Sequence, residues 1–222
     1  RVDAVVICTP NALHAAQAVQ ALRAGKHLLC EKPLALSRAE AQRVAQAAVR
    51  SGRVLAVGFE LRCSDVVRAA LEAIEAGRIG KPLLVTGRVW RAWGGALKGG
   101  WREDVRLSGG LIPEIYSHLA DLQACLVGEV PRSVVARAGA LAGPPRWERL
   151  SVISEYPAGA LSVGDLCLFA YGAGAEYPFE VIGEKGRLAG DVVRGQLTLW
   201  THKAEPEAVS YTHLRAHETV LD

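Results

Sequence analysis

The strongest constraint lies in the first 58 residues, where three short apolar runs alternate with two helical stretches. Residues 2–8 form a β-branched run that reads as a strand buried on both faces. Asn11 is placed to cap a helix through residues 12–24, which stops at Gly25. Residues 27–30 are a second short strand. Ser37-Arg38-Ala39-Glu40 is a capping box that opens a second helix, ending near Gly52. Residues 54–57 are a third strand. Connections of this length between buried strands imply parallel pairing with right-handed crossovers. The first 58 residues therefore predict the C-terminal half of a doubly wound parallel α/β sheet.

Beyond Gly58 the pattern changes. Residues 65–76 read as a helix closed by Gly77, and 83–90 as an alternating strand. A Gly- and Trp-rich loop spans 92–110. Residues 112–126 read as a helix with Pro113 in its first turn. Strands are expected at 134–140, 150–155, 160–170, 179–182 and 197–202, separated by Gly/Pro turns. The chain thus reads as α/β followed by an α+β domain with a large, mainly antiparallel open sheet. The expected domains are residues 1–58 and 59–209. Residues 210–222 hold two of the six histidines and show no clear alternation. They read either as an assembly artefact or as a short helix. The chain opens on Arg1 and has no Met, so the expectation is a fragment that starts in mid-domain.

Composition narrows the function. Half of the residues are hydrophobic and 22% are charged, with a net charge of +3. Arg and Lys are scattered singly, so nucleic-acid binding has little electrostatic support. No apolar run approaches the roughly 18 residues of a membrane span. The five cysteines (Cys8, Cys30, Cys63, Cys125, Cys167) form no CxxC pair. They read as buried reduced thiols of a cytoplasmic protein, with disulfides or a zinc site as the alternatives.

In an open parallel sheet, ligands sit beyond the carboxyl ends of the strands. Those ends are Cys8-Thr9-Pro10-Asn11, Cys30-Glu31-Lys32-Pro33 and Gly58-Phe59-Glu60-Leu61-Arg62. They converge on one crevice, where Pro33 fixes the chain just after Lys32. The alternative is a surface loop with a Glu–Lys pair. A second cluster runs from Ser108-Gly109-Gly110 through Glu114 and His118 to Asp121. The i, i+4 spacing of Glu114 and His118 puts both on one helix face. A carboxylate beside a histidine orients the ring and raises its pKa, as a general acid/base requires. The alternatives are a solvated Glu–His–Asp face and a metal site; no metal is expected.

Taken together, these motifs resemble the Gfo/Idh/MocA family of nicotinamide-dependent sugar and polyol oxidoreductases. The matching stretches are Thr9-Pro10-Asn11 with His14, Ala24-Gly25-Lys26-His27, Glu31-Lys32-Pro33, Gly58-Phe59 with Arg62, and Gly77-Arg78-Ile79-Gly80-Lys81-Pro82. Trp101-Arg102 and Gly109-Gly110 with Glu114, His118 and Asp121 complete the series, over roughly residues 2–200. The resemblance implies a Rossmann domain followed by an α/β domain with a large open sheet. It also implies that the glycine-rich pyrophosphate loop and the ribose-reading residue lie upstream of this chain.

For mechanism, the resemblance implies that Lys32 stabilises a developing alkoxide and that His118 accepts the proton, with Glu114 as the accompanying acid. Thr9, Pro10, Asn11, His14, Glu31, Lys32 and Pro33 would bind cofactor, NAD or NADP. Arg62, Trp101, Arg102 and Asp121 would serve substrate binding. The chain departs from the family pattern at three points. Ser108 and Tyr116 stand where glycine is common, and Glu114 is one methylene longer than the usual Asp. The leading expectation is hydride transfer from a sugar, inositol or similar polyhydroxy compound. The alternatives are an NAD-retaining glycosidase relative and a non-catalytic dinucleotide sensor. The resemblance also implies a homo-oligomer, dimer or tetramer, packed through the large sheet. The fragment alone is expected to be inactive.

Overall fold

A computed structural model of the chain describes residues 2–92, 100–139, 148–170, 176–202 and 206–209. Residues 210–222, Arg1 and part of the expected 92–110 loop fall outside them. The first unit runs β1 (Ala4–Ile7), α1 (Asn11–Arg23), β2 (His27–Cys30), α2 (Arg38–Ser51) and β3 (Leu55–Val57). The three strands form a parallel sheet in the order β1-β2-β3. Ser37 caps α2 by accepting from the Glu40 backbone N–H, as the capping box predicted, and Gly52 closes the helix. Ile7, Leu28 and Cys30 pack against Ala15, Ala18, Leu22, Val44 and Ala47 of the two helices.

Two expectations for this unit are corrected. β1 is not buried on both faces: Val6 is 63% exposed, and Val2 and Leu29 are exposed too. The reason is geometric. Among the described residues β1 pairs only with β2, and the buried residues of β1 and β2 belong to one core cluster with α1 and α2. Asn11 is not the cap of α1. Pro10 occupies that position and no side chain caps it. The Asn11 amide has been drawn to the second unit instead.

A 3₁₀ turn (Glu60–Cys63) leads into α3 (Asp65–Glu75), capped by Ser64. There follow β4 (Pro82–Trp90), α4 (Val105–Ser108), α5 (Leu111–Val127), β5 (Ser133–Gly139), β6 (Arg149–Glu155) and β7 (Leu161–Cys167). The chain then runs through β8 (Pro178–Gly183), β9 (Gly186–Asp191), β10 (Gln196–Thr201) and β11 (Glu207–Ala208). The eight strands lie in the order β11-β10-β9-β8-β4-β7-β6-β5. Every pairing is antiparallel except β4 with β7. The mainly antiparallel sheet was expected; β9, β11, α4 and the 3₁₀ turn were not. The 160–170 strand stops at Cys167.

Helix α5 lies over β4 and β7, and α3 over β9 and β10. Their apolar faces share one core with Val85, Val89, Val181, Leu188 and Leu199. Gly164 explains how Tyr116 fits where the resemblance implies a glycine. A Cβ at Gly164 would run into the Tyr116 hydroxyl, so the bare backbone of β7 makes room for the ring. The thiols are also placed differently than expected. Only Cys30 is buried; Cys8 and Cys63 are exposed, Cys125 and Cys167 are intermediate, and all five are free.

Candidate active site

Lys32 and His118, 86 positions apart in sequence, line one cavity of about 280 Å³. Lys32 reaches it from the turn after β2, and His118 from the middle of α5. The turns after β1 and β2 are fastened together by His14 of α1, which is fully buried. Its Nδ1 lies 2.7 Å from the Pro33 carbonyl oxygen and its Nε2 lies 2.8 Å from that of Thr9. The Lys32–Pro33 peptide is cis.

Asn11 joins this assembly to the second unit. Its Nδ2 donates to the Ser108 carbonyl at 2.9 Å and to Glu114 Oε2 at 2.7 Å. Lys32 Nζ donates to the Glu114 backbone carbonyl at 2.7 Å and lies 3.5 Å from Glu114 Oε1. Arg102 Nε donates to that same Oε1 at 3.0 Å. Burial pushes the Glu114 carboxyl up. The Asn11 hydrogen bond, with the Lys32 and Arg102 charges, outweighs it and holds the pKa below the usual carboxylate value. Glu114 is thus an ionised, buried junction of three partners.

The i, i+4 spacing does put Glu114 and His118 on the same lining. The expected orientation of the ring by Glu114 does not follow, because both carboxylate oxygens are engaged elsewhere. The expected rise in the histidine pKa is overturned as well. Burial, then the charge of Lys32, push His118 down to about 4; Glu114 opposes this and Arg91 adds to it. His118 is neutral at neutral pH, the state a proton acceptor needs.

Other predicted residues stand further off. Arg62 and Asp121 hold each other, Nε to Oδ2 at 2.7 Å and Nη2 to Oδ1 at 2.5 Å, and neither lines the cavity. Arg102 lies over the Trp101 ring at 4.5 Å and meets the site through Glu114. Thr9 Oγ1 donates to Gln17. Thr9, Pro10 and Glu31 are open at least in part, whereas Asn11, His14 and Pro33 are buried. Ser108, the other departure from glycine, is buried, and its Oγ accepts from the Gly110 N–H.

Sequence reasoning missed Glu60, Arg91 and Tyr177 as lining residues. Glu60 sits in the segment marked as the third strand end, and that position was its only signal. Arg91 and Tyr177 flank β4 and β8 and meet because those strands pair; the guanidinium lies 5.1 Å from the ring centroid. No local motif announces such a meeting. Among the described residues, no group of three or more His, Cys, Asp or Glu is placed to hold a metal ion. No helix among them is long and apolar enough to cross a membrane.

Comparisons with known proteins agree with this fold. Residues 1–59 match the model of the GFO_IDH_MocA oxidoreductase family, NAD-binding Rossmann fold, and residues 67–189 match the GFO/IDH/MocA C-terminal domain. A 1,5-anhydro-D-fructose reductase of Ensifer adhaerens is 41% identical over 137 residues, which is 61% of this chain and 40% of that protein. A myo-inositol 2-dehydrogenase of Thermotoga maritima is 29% identical over 217 residues, 96% of this chain and 63% of that one. Among solved structures, a levoglucosan dehydrogenase in complex with NADH superposes with a TM-score of 0.87 at 28% identity, over 95% of this chain and 61% of that one. The chain therefore spans less than two thirds of the length of each of these relatives.

Proposed function

Because the chain belongs to the Gfo/Idh/MocA oxidoreductase family, we propose that it carries the reacting groups of an NAD-dependent dehydrogenase of sugars, inositols or similar polyhydroxy compounds. The observation that carries this reading is the meeting of the Lys32 ammonium and a neutral His118 imidazole on one cavity wall. When an alcohol is oxidised, Lys32 stabilises negative charge developing on its oxygen. His118 takes the hydroxyl proton. Glu114 keeps Lys32 in place and is a positioning residue in this scheme.

The residues present fit the nicotinamide end of NAD. Thr9, Pro10, Glu31 and Lys32 would face it, while Asn11, His14 and Pro33 hold the turns from behind. Gly58 supports this fit, since a Cβ there would lie 3.2 Å from the Glu31 carboxylate. The missing side chain leaves that carboxylate room to accept from a ribose hydroxyl. NAD, when bound, supplies the acceptor for the hydride released from carbon.

Two further parts of the reading rest on single features. A dimer or tetramer through the large sheet is supported by its uncovered face, where Trp90, Ile153 and Ile182 are exposed. A cytoplasmic location is supported by five free thiols. The experiment that tests the function is Lys32→Ala in the intact protein, with reduction of NAD by myo-inositol and related polyols followed. The turnover number is expected to fall by about 100-fold or more. An unchanged rate removes Lys32 from the mechanism.

A further inference from the structure

The 3₁₀ turn after β3 and helix α5 are joined at two rungs. The Arg62–Asp121 pair is one, closed at both carboxylate oxygens. The other lies two residues earlier on the turn and three earlier on the helix, where Glu60 Oε2 stands 3.4 Å from His118 Nδ1. That nitrogen is buried and has no hydrogen-bond partner. The His118 side chain is 10% exposed, whereas that of Glu60 is 66% exposed. Phe59 braces the ring edge-on, with centroids 6.5 Å apart and planes at 82°.

A buried nitrogen cannot be the atom a substrate touches. If His118 accepts a proton, it does so at Nε2, and Nδ1 must already carry the ring's hydrogen. Glu114 does not hold that hydrogen: Nδ1 makes no hydrogen bond, and the Glu114 oxygens are turned to Asn11, Arg102 and Lys32. Glu60 Oε2 is the carboxylate oxygen paired with Nδ1. A small shortening of this contact makes it a charge-assisted hydrogen bond.

We infer that Glu60 is the positioning residue of His118, fixing the Nδ1–H tautomer and balancing the imidazolium that forms when Nε2 takes the substrate's hydroxyl proton. The inference rests on the reading of His118 as proton acceptor and adds a residue to it. Lys32 and Arg91 also face the ring and disfavour its charged form, while Glu114 favours it. Glu60 supplies its negative charge at the buried nitrogen. The Arg62–Asp121 clamp keeps the turn, and with it Glu60, at that distance.

The test has two readouts. In the full chain, long-range proton–nitrogen spectra of the labelled histidines, with His118 assigned by its loss in His118→Gln, report the tautomer without any cofactor. The wild-type ring is expected as Nδ1–H, Glu60→Gln is expected to keep this tautomer, and Glu60→Ala is expected to shift it toward Nε2–H. In the intact protein with NAD and a polyol, both variants are expected to lower kcat about tenfold. KM should stay within about twofold, because the charge matters when the proton moves rather than when substrate binds. An Nε2–H wild-type ring, or a tautomer and kcat indifferent to Glu60→Ala, overturns the inference. If Glu60→Ala has no effect while Lys32→Ala abolishes turnover, the inference falls and the proposed function stands. If the intact protein reduces no NAD with any polyol tried, the function falls, and the tautomer spectra still decide what Glu60 does to the ring.

Discussion

The two side chains proposed to react are delivered by opposite means. Lys32 stands on a turn, and His118 stands on a 17-residue helix. The helix orients His118 through packing: Ile115, Leu119 and Leu122 are buried beside it in the large core. The turn has less apolar support, with Leu34 and Ala35 only partly buried against the small core, and polar groups add to it, His14 across two carbonyls and Asn11 across to the second unit. The apolar cores differ in the same direction. The small one combines alanines from α1 and α2 with few larger side chains, whereas the large one spans a helical layer and most of eight strands. A modest core suffices for strands that only have to end at the right place. It does not fix a loop side chain, and buried hydrogen bonds take over that task.

The contrast is most directly broken at Glu114. Replacing Glu114 by Ala strips an acceptor from Asn11 and Arg102 and a counter-charge from a largely buried Lys32. Urea titration is expected to show a loss of about 4 kcal/mol. Hydrogen exchange should rise at the amides of Thr9, Asn11, Glu31 and Lys32 more than in α5. Equal loosening on both sides would mean that the helix depends on these polar ties as much as the turn does.

Acid comes next. The folded protein keeps His118 neutral down to about 4, while the unfolded chain takes up its proton near 6.5. Between those values the unfolded state binds more protons, so stability falls as pH falls, by about 3 kcal/mol across the window. The stability that Glu114 contributes is present above about 4.5 and is lost below it, as pH falls through its lowered pKa. Denaturation measured from pH 7 to 4 should therefore show a slope that His118→Gln flattens. A slope unchanged in that variant would assign the acid sensitivity to other groups.

The smallest effect is expected at Gly109, where the seam closes with φ +77° and a Cβ would lie 2.5 Å from Leu36 Cδ2. Gly109→Ala should cost about 1–2 kcal/mol, chiefly through the left-handed backbone. Trimming Leu36 to Ala in the same chain should recover little of it. Full recovery would place the cost in the contact between the units rather than in the turn.

These differences also explain what could be read from the amino-acid order. The Ser37 cap, the Pro113 first turn and the span His27–Cys30 are local, and the chain states them locally. β9 (GRLAGD) carries little apolar signal and exists because β8 and β10 flank it. β1 reads as doubly buried because Val2, Val5, Val6 and Ile7 are all apolar, yet helices cover only one side. Lys32 and His118, which line one cavity, were singled out through motif order. The partners of that pair were not, because Asn11 to Glu114 and Glu60 to His118 are meetings that only the assembled fold creates. Spacing put Glu114 beside His118 on the helix but could not show that its carboxylate was already taken.

One of Lys32's ties has a consequence for how this site tolerates change. Its shortest bond runs to the main-chain oxygen of residue 114, not to a side chain. Every amino acid brings that oxygen. Position 114 can thus be altered, in laboratory variants or by drift, without deleting the anchor itself. The aim of the ammonium group is encoded in the path of α5, and no single codon change at 114 that leaves the helix intact erases it.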